Sequence, residues 1–482
     1  MAAIRSTRSR PGGPPLLLRN VAGLLIVAGV WTLACDGFVE PVACDLPEVS
    51  SSSIVPSPAN VLSAIAIAEV RLTDSIRVRF GPVGQPLDSV TSASVASGTS
   101  VSLPVLGLLE WTSYRMQVVA FNACGATTGE SRELTTGSLP ADLPRYTVSG
   151  ADPSPGYVAF AAGSYGIVID NSGRVVWYHR FANGPGLNFQ PQPNGHYAAR
   201  PNATNGASGA WLEVDVLGNI TRTLRCGRGL EPRPHDLLAL RDGSYWLLCD
   251  ETRALDLTAS GRSAQTPVQG TAIQHVSARG ELLFDWTPFD HFETELAALE
   301  PADRAGTVIN WTHGNAFDLD PTGNLIVSFR NLSEITKIDT RTGAVVWRMG
   351  GLRNQFKAEI ASGQLFARQH SVRATGAGEI VLLDNLGDRS QSRAERYRFD
   401  ERSRSVQLTQ SVASSTGAVA LTGGTTQSLP GGRMLVSYGN GGSVEEYDRA
   451  GNVVWKIDGN PGYIFRATRI RSLYTPGAGD PR

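Results

Sequence analysis

An excess of charge of one sign, membrane-length apolar runs and the common catalytic signatures are all missing from this chain. Its 482 residues carry 43 Lys and Arg against 44 Asp and Glu, a net charge of -1, so it has no electrostatic footprint for nucleic acid, which asks for a basic face or a high pI. The N-terminal apolar run, Val21 to Ala34, has 14 residues and falls short of the roughly 20 that span a bilayer as a helix. The 5 cysteines include no C-x2-C spacing, which argues against zinc held by cysteine. No G-x-S-x-G elbow, H-E-x-x-H pair or G-x-x-x-x-G-K-[ST] loop occurs, so the usual hydrolase, zincin and nucleotide-loop chemistries lack support. What the chain does have is 52 Gly and 28 Pro without a triplet period, and 41% hydrophobic residues. That composition folds, with many turns and short strands.

The first 35 residues read as an export signal. Arg5, Arg8, Arg10 and Arg19 precede the short apolar run, as a charged n-region precedes an h-region. The run ends Trp31-Thr32-Leu33-Ala34-Cys35, which resembles a bacterial lipoprotein box with Thr32 where Leu is usual. The expectation is an exported protein, periplasmic or on the cell surface, cleaved or lipidated at Cys35, with a membrane tether where Cys35 carries lipid. Export permits disulfides, and the expected pairs are Cys44 with Cys124 and Cys226 with Cys249.

From Leu46 to about Pro140 apolar residues alternate, as in Ser75-Ile76-Arg77-Val78-Arg79-Phe80, and alternation predicts half-buried strands. Leu109, Trp111, Tyr114, Ala120, Asn122, Gly125 and Thr135-Thr136-Gly137 resemble the last strands of a fibronectin type III domain, giving a small β-sandwich over 36–140.

The remainder repeats. Asp170 to Trp177, Asp339 to Trp347 and Asp448 to Trp455 share a turn followed by an apolar strand ending in Trp, with weaker copies at Asp215, Ser277 and Asp400. The turn positions 173, 218, 280, 343, 403 and 451 are spaced by 45, 62, 63, 60 and 48, room for one four-stranded sheet each. A second unit is a tight hairpin, as at Pro193-Asn194-Gly195 and Arg241-Asp242-Gly243, where Asn-Gly and Asp-Gly supply the positive φ such turns need. The expected fold is all-β, a six-bladed β-propeller over 141–482, with ligands at the mouths of its central channel. An open array of β-sandwich sheets is the alternative architecture. The period makes Trp177, Trp347 and Trp455 packing residues rather than an aromatic cage.

Of the 7 histidines, three occupy matching places. His235 lies 8 residues before Gly243, His313 lies 10 before Gly323, and His370 lies 8 before Gly378. Each starts an inner strand, so all three converge on one mouth. Arg330, 7 residues after Gly323, falls beside His313 by antiparallel pairing. A single such histidine reads as an ordinary hydrogen-bonded residue; three coincident ones read as a site. Three imidazoles suit a divalent metal, but a guanidinium among them repels a cation and matches an oxyanion. No metal and no cofactor is expected. One imidazole would then be free to act as a nucleophile.

At this point the motifs carry a resemblance. Pro234-His235-Asp236, Trp311-Thr312-His313-Gly314-Asn315, Ser328-Phe329-Arg330-Asn331, Val346-Trp347-Arg348-Met349-Gly350-Gly351, Phe366-Ala367-Arg368-Gln369-His370, Leu383-Asp384-Asn385 and the closing Tyr463 to Tyr474 resemble the bacterial arylsulfate sulfotransferase family, from about residue 140 onward. The resemblance implies a six-bladed propeller preceded by a small β-domain. It also implies transfer of a sulfuryl group from a phenolic sulfate ester to an acceptor phenol through a sulfated histidine, without a nucleotide donor. By motif, His370 is the nucleophile; His235, His313 and Arg330 surround the sulfuryl group, and Asn315 is an extra substrate-binding donor. Either His235 or His313 is open as the general acid for the departing phenolate. Pro234 stands where the family often has a second His. Two other classes stay open: a non-catalytic extracellular binding propeller, and a metal-dependent hydrolase or lyase. The acidic, Ala-rich stretch Asp290 to Arg304 reads as a solvated surface helix or lid.

Overall fold

The structure, a computed structural model, describes residues 44–202, 209–294, 296, 299–358, 365–388 and 390–482. The export signal and Cys35 lie outside the described residues.

The fold is all-β. Residues 48–135 form two facing antiparallel sheets. One has Glu48–Pro56, Ala64–Arg71 and Ser100–Val105; the other has Ser89–Val90, Ser75–Pro82, Ser113–Asn122 and Gly125–Thr135, with Ser94–Val95 also paired to Ser75–Pro82. Every second residue faces inward: Ala64, Ala66, Ala68 and Val70 meet Ile76, Val78, Met116 and Val118, all buried. That is the period-2 alternation read from the sequence, and it appears because each sheet has one wet face.

Among the described residues six further sheets follow, each a run of antiparallel strands neighbouring in sequence, with a short parallel strand added to the third, Ile309–Asn310, and to the fifth, Lys357–Ala358. The first is built from Tyr157–Ala162, Tyr165–Ile169 and Val175–Arg180, and is completed by Ala467–Ile470 from the far end of the chain, with Phe160 opposite Ala467 and Tyr157 opposite Ile470. The sixth, Thr425–Leu429 to Val453–Ile457, gains Val148–Ser149 from the near end. Both ends of the repeat are thereby tied into the ladder, so neither is left as a bare edge.

Two devices join one sheet to the next. Tryptophans of the fourth strands donate across the gap: Trp177 Nε1 to Val216 O at 2.8 Å, Trp286 Nε1 to Gly343 O at 3.1 Å, and Trp455 Nε1 to Asn171 O at 3.1 Å, the last linking the sixth sheet to the first. Trp177, Trp347 and Trp455 are fully buried, the packing role their period predicts. On the opposite side, amide side chains reach between first strands. Gln190 donates to Leu237 O, Asn315 to Gln369 O and Gln427 to Arg469 O. These bonds satisfy backbone groups that a strand edge would otherwise leave unpaired in the interior.

Cys226 and Cys249 form the expected disulfide, Cα to Cα 6.2 Å, and Cys44 and Cys124 are each disulfide-bonded. The acidic stretch is only partly the solvated segment expected. Its helix is the single turn Pro301–Arg304, and Phe292 and Leu299 are buried against Trp286, Trp311 and Phe329. Apolar residues spaced along an acidic loop anchor it to the core.

Candidate active site

His235, His313, Arg330 and His370 do come together. His235 sits in Glu231–Ala239, the first strand of the third sheet, at an irregularity between Pro232 and Leu237 where the pairing with Tyr245–Leu255 slips. His313 immediately precedes Gly314–Leu319, Arg330 follows Leu325–Phe329, and His370 opens His370–Gly376. The Arg330 amide donates to His313 O at 3.1 Å, the pairing anticipated from the hairpin count. The His235 and His313 rings lie edge to face, centroids 5.1 Å apart. Phe465 stands between the two sides, 5.7 Å from His235 and 6.1 Å from His370. His313, Arg368 and Ser371 have positive φ of 47°, 54° and 61°. Such backbone is costly for residues with a Cβ and gathers where surrounding structure enforces it, often at sites.

Hydrogen bonds set the chemistry of His370. Asn385 Nδ2 donates to Ala420 O and Gly423 O, at 3.0 and 2.9 Å, which turns its Oδ1 toward His370 Nδ1 at 2.8 Å. An acceptor there places the ring proton on Nδ1 and the lone pair on Nε2. Only the Gly423 amide, at 3.3 Å, meets that lone pair in the described structure. A Cβ on Gly423, at φ 69°, would meet Tyr463 Oη at 2.6 Å and Phe465 at 2.9 Å, so this position is closed to any larger residue. His313 Nδ1 faces Asn310 Nδ2 at 2.9 Å. The link continues through Asn310 O, which accepts from Asn331 Nδ2, to Asn331 Oδ1, which accepts from Arg330 at 2.8 Å.

His235 and His370 are buried and His313 is half-buried, and withdrawal from water disfavours the charged form of each. Burial and the field of Arg330 push His370 down to about 3. Burial, then Arg233, hold His235 and His313 well below the usual imidazole range. Arg330 is 9% exposed, pushed down to about 10 by burial and by Arg368, and no carboxylate pairs with it among the described residues. Its neighbours differ: Arg368 pairs with Asp303 at 2.7 Å, Arg233 with Asp250, and Arg466 with Asp236 at 3.4 Å. The arrangement is a pocket of neutral imidazoles beside a guanidinium that no carboxylate pairs directly among the described residues, which suits an anion with several oxygens.

Asn315, expected as a substrate donor, is fully buried with Nδ2 on Gln369 O at 2.8 Å. It therefore fixes the residue before His370. Sequence reasoning gave no role to Asn385, Phe465, Arg368 or Arg233. Asn385, Phe465 and Arg368 lie inside quoted motifs, and Arg233 stands two residues before His235; the partners that reveal them lie on other strands, in the same sheet or another.

Residues 233–460 match the family model described as Arylsulfotransferase (ASST). No curated protein matches the chain. Among solved structures it is similar to a protein of unknown function from Bacteroides caccae, at 15% identity and TM-score 0.42, covering 66% of this chain and 100% of that one. It is also similar to a streptogramin B lyase, at 12% identity and TM-score 0.37 over 65% and 84% of the two chains. A virginiamycin B lyase from Staphylococcus aureus gives 14% identity and TM-score 0.34 over 69% and 90%.

Proposed function

Residues 233–460 belong to the arylsulfotransferase family, and from that premise we propose that the chain transfers a sulfuryl group from a phenolic sulfate ester to an acceptor phenol through a sulfated His370, in ping-pong fashion and without a nucleotide sulfate donor. One observation carries the reading: Arg330, nine-tenths buried and without a carboxylate partner among the described residues, shares its pocket with three imidazoles held neutral. A sulfate ester brings the missing negative charge.

In the first half-reaction Nε2 of His370 attacks sulfur. The N–S bond forms as the bond from sulfur to the phenolic oxygen breaks, and the electron pair leaves as phenolate. His370 keeps its Nδ1 proton, shared with Asn385 Oδ1, so the sulfated ring is positive and the sulfuryl group negative. In the second half, the acceptor phenol gives its proton to His235 or His313 and its oxygen attacks sulfur. The N–S bond breaks and neutral His370 returns; the proton passes to the first phenolate or to water. Sulfuryl transfer, like phosphoryl transfer, runs through a loose in-line transition state, so positioning and electrostatics dominate. Asn315, through Gln369, holds the nucleophile in line, and its second N–H is the extra donor.

The wider reading is that the six sheets are the blades of a propeller over 141–482, supported by the end strands that enter the first and sixth sheets. Residues 36–140 are then a fibronectin type III-like sandwich. Its three- and five-strand sheets fit that fold, as does the Leu109 amide donating to Tyr114 Oη at 2.9 Å, a tyrosine corner. The Cys226–Cys249 disulfide accords with export behind residues 1–35 and with a lipid tether at Cys35.

The test is release of phenol from a chromogenic aryl sulfate, with and without acceptor phenol, followed by intact-mass measurement of donor-treated protein. Acceptor-dependent release and a sulfuryl adduct absent from His370→Ala are expected. No release from any donor would move the reading to a binding propeller.

A further inference from the structure

Arg233 has no part in the mechanism above, yet its surroundings are those of a ligand-binding group. It lies two residues before His235 in the slipped segment of Glu231–Ala239, where the ladder with Tyr245–Leu255 is interrupted between Pro232 and Leu237. The interruption frees residues 233–236, His235 among them, from ordinary strand pairing. Arg233 is 4% exposed. One terminal nitrogen is bound to Asp250, and its Nε is buried with no acceptor. His235 Nδ1, on the same segment, is likewise buried and unpartnered. Buried polar atoms are nearly always satisfied; two unsatisfied ones two residues apart, at a slip in a ladder, leave hydrogen-bonding capacity for an acceptor.

Electrostatics separate the two guanidiniums. Among charged groups, Arg330 acts most on His370, whereas Arg233 acts most on both His235 and His313. An in-line transfer also has two sides, the attacking nitrogen and the departing oxygen. With His235 and His313 neutral at rest, neither brings a cationic proton to the leaving phenolate, so its charge needs another partner.

Resting on the sulfuryl-transfer reading, we propose that Arg233 is a second catalytic cation, which binds the phenolic oxygen of the ester and stabilises the phenolate as the S–O bond breaks, while Arg330 holds the sulfuryl oxygens. Asp250 keeps its guanidinium oriented without consuming Nε. The same position serves the acceptor oxygen in the second half-reaction, so Arg233 belongs to both.

The experiment is a single-turnover leaving-group series, from nitro-substituted aryl sulfates to unsubstituted phenyl sulfate, on the full chain and on Arg233→Gln and Arg233→Lys. Arg233→Gln should slow sulfation of His370 by about a hundredfold with phenyl sulfate and far less with nitrophenyl sulfates, whose phenolates need little help. Arg233→Lys should recover part of the loss. Equal slowing across the series, or no slowing, overturns the proposal while leaving the transferase reading intact, since wild-type sulfation is measured beside it. Absence of sulfation in the wild type overturns both. If Arg233→Gln fails to fold because Asp250 is left unpaired, Arg233→Gln with Asp250→Asn removes both charges and is read in the same series.

Discussion

Asn385 Oδ1 lies 2.8 Å from His370 Nδ1 while its amide nitrogen is tied to Ala420 O and Gly423 O, so the amide is held in one orientation and the lone pair of His370 is on Nε2, met only by the long contact from the Gly423 amide at 3.3 Å. The fifth sheet, which holds both residues, thereby depends on a loop of the next one for the state of its nucleophile. Replacing Asn385 by Leu removes the acceptor and lets the ring proton move to Nε2. Single-turnover sulfation by Asn385→Leu should fall by about a hundredfold, the scale of a lost proton-positioning group, with the donor's affinity little changed. A raised donor Kd with an unchanged sulfation rate would refute the tautomer role.

The pH dependence follows from burial. His370 is held at about 3 by burial and Arg330, so lowering the pH through the ordinary imidazole range does not protonate it, and the sulfation rate should stay flat from pH 8 to 5. Removing the positive charge in Arg330→Gln eases protonation, so the variant should show an acid limb at higher pH, on top of its lower rate. Stopped-flow phenol release across that range checks both.

The same burial affects stability. Unfolded histidines titrate near 6.5, whereas His235, His313 and His370 stay neutral in the fold. Below about pH 6.5 the unfolded chain binds protons that the folded chain refuses, so stability is lost as pH falls from 7 to 5, by about 1.4 kcal/mol per pH unit for each fully engaged histidine. Denaturant midpoints should show a shallower fall in His313→Gln than in wild type, by about one proton's slope.

How much of this was legible before the structure depends on distance along the chain. Turn residues such as Asp170 with Gly173, and the Trp177, Trp347 and Trp455 positions, act within one repeat, so counting along the chain located them. The meeting of His235, His313 and His370 was legible for the same reason, since each begins a hairpin of like length. Ala467–Ile470 entering the first sheet was not, because its partner Tyr157–Ala162 is some three hundred residues away. Asn385 and Arg233 gain their meaning from Gly423 and Asp250 across sheet boundaries or ladders, and Phe292 and Leu299 anchor the acidic stretch through cross-sheet packing, which periodicity does not encode.

Glu395 should carry a proton at neutral pH. Burial, and then the charge of Asp384, push its carboxyl up to about 8. Tyr397 Oη lies 2.5 Å from both Leu365 O and Glu395 Oε2, and its single proton serves only one of them; donated to Leu365, it leaves the phenolic oxygen to accept from a protonated Glu395. The folded pKa lies above the unfolded one, so stability from this group is fully present below about pH 4.5 and is lost as pH rises to 8, by about 1.4 kcal/mol per unit. Glu395→Gln cannot ionise, and its stability relative to wild type should grow from pH 5 to 8 and level off above. A parallel pair of stability curves would count against a protonated Glu395.

The pair of Arg368 and Asp303, 2.7 Å apart with side chains 12% and 11% exposed, ties the turn Pro301–Arg304 to the residues that lead into His370. Arg368 is also the charge that most depresses Arg330, so Asp303 neutralises a guanidinium that would otherwise compete for the same anion. Asp303→Asn keeps the shape and removes the charge. Arg368 then adds an uncompensated positive charge beside Arg330, the sulfate ester should bind several-fold more tightly, and release of sulfated product should slow, a partially buried charge interaction being worth about 1–3 kcal/mol at such a site. Donor KM and turnover should therefore fall together while the single-turnover sulfation rate holds. A variant with raised KM and unchanged turnover would instead assign Asp303 to holding the loop in place, and adding Arg368→Gln separates the two, since it restores wild-type KM only if charge is the cause.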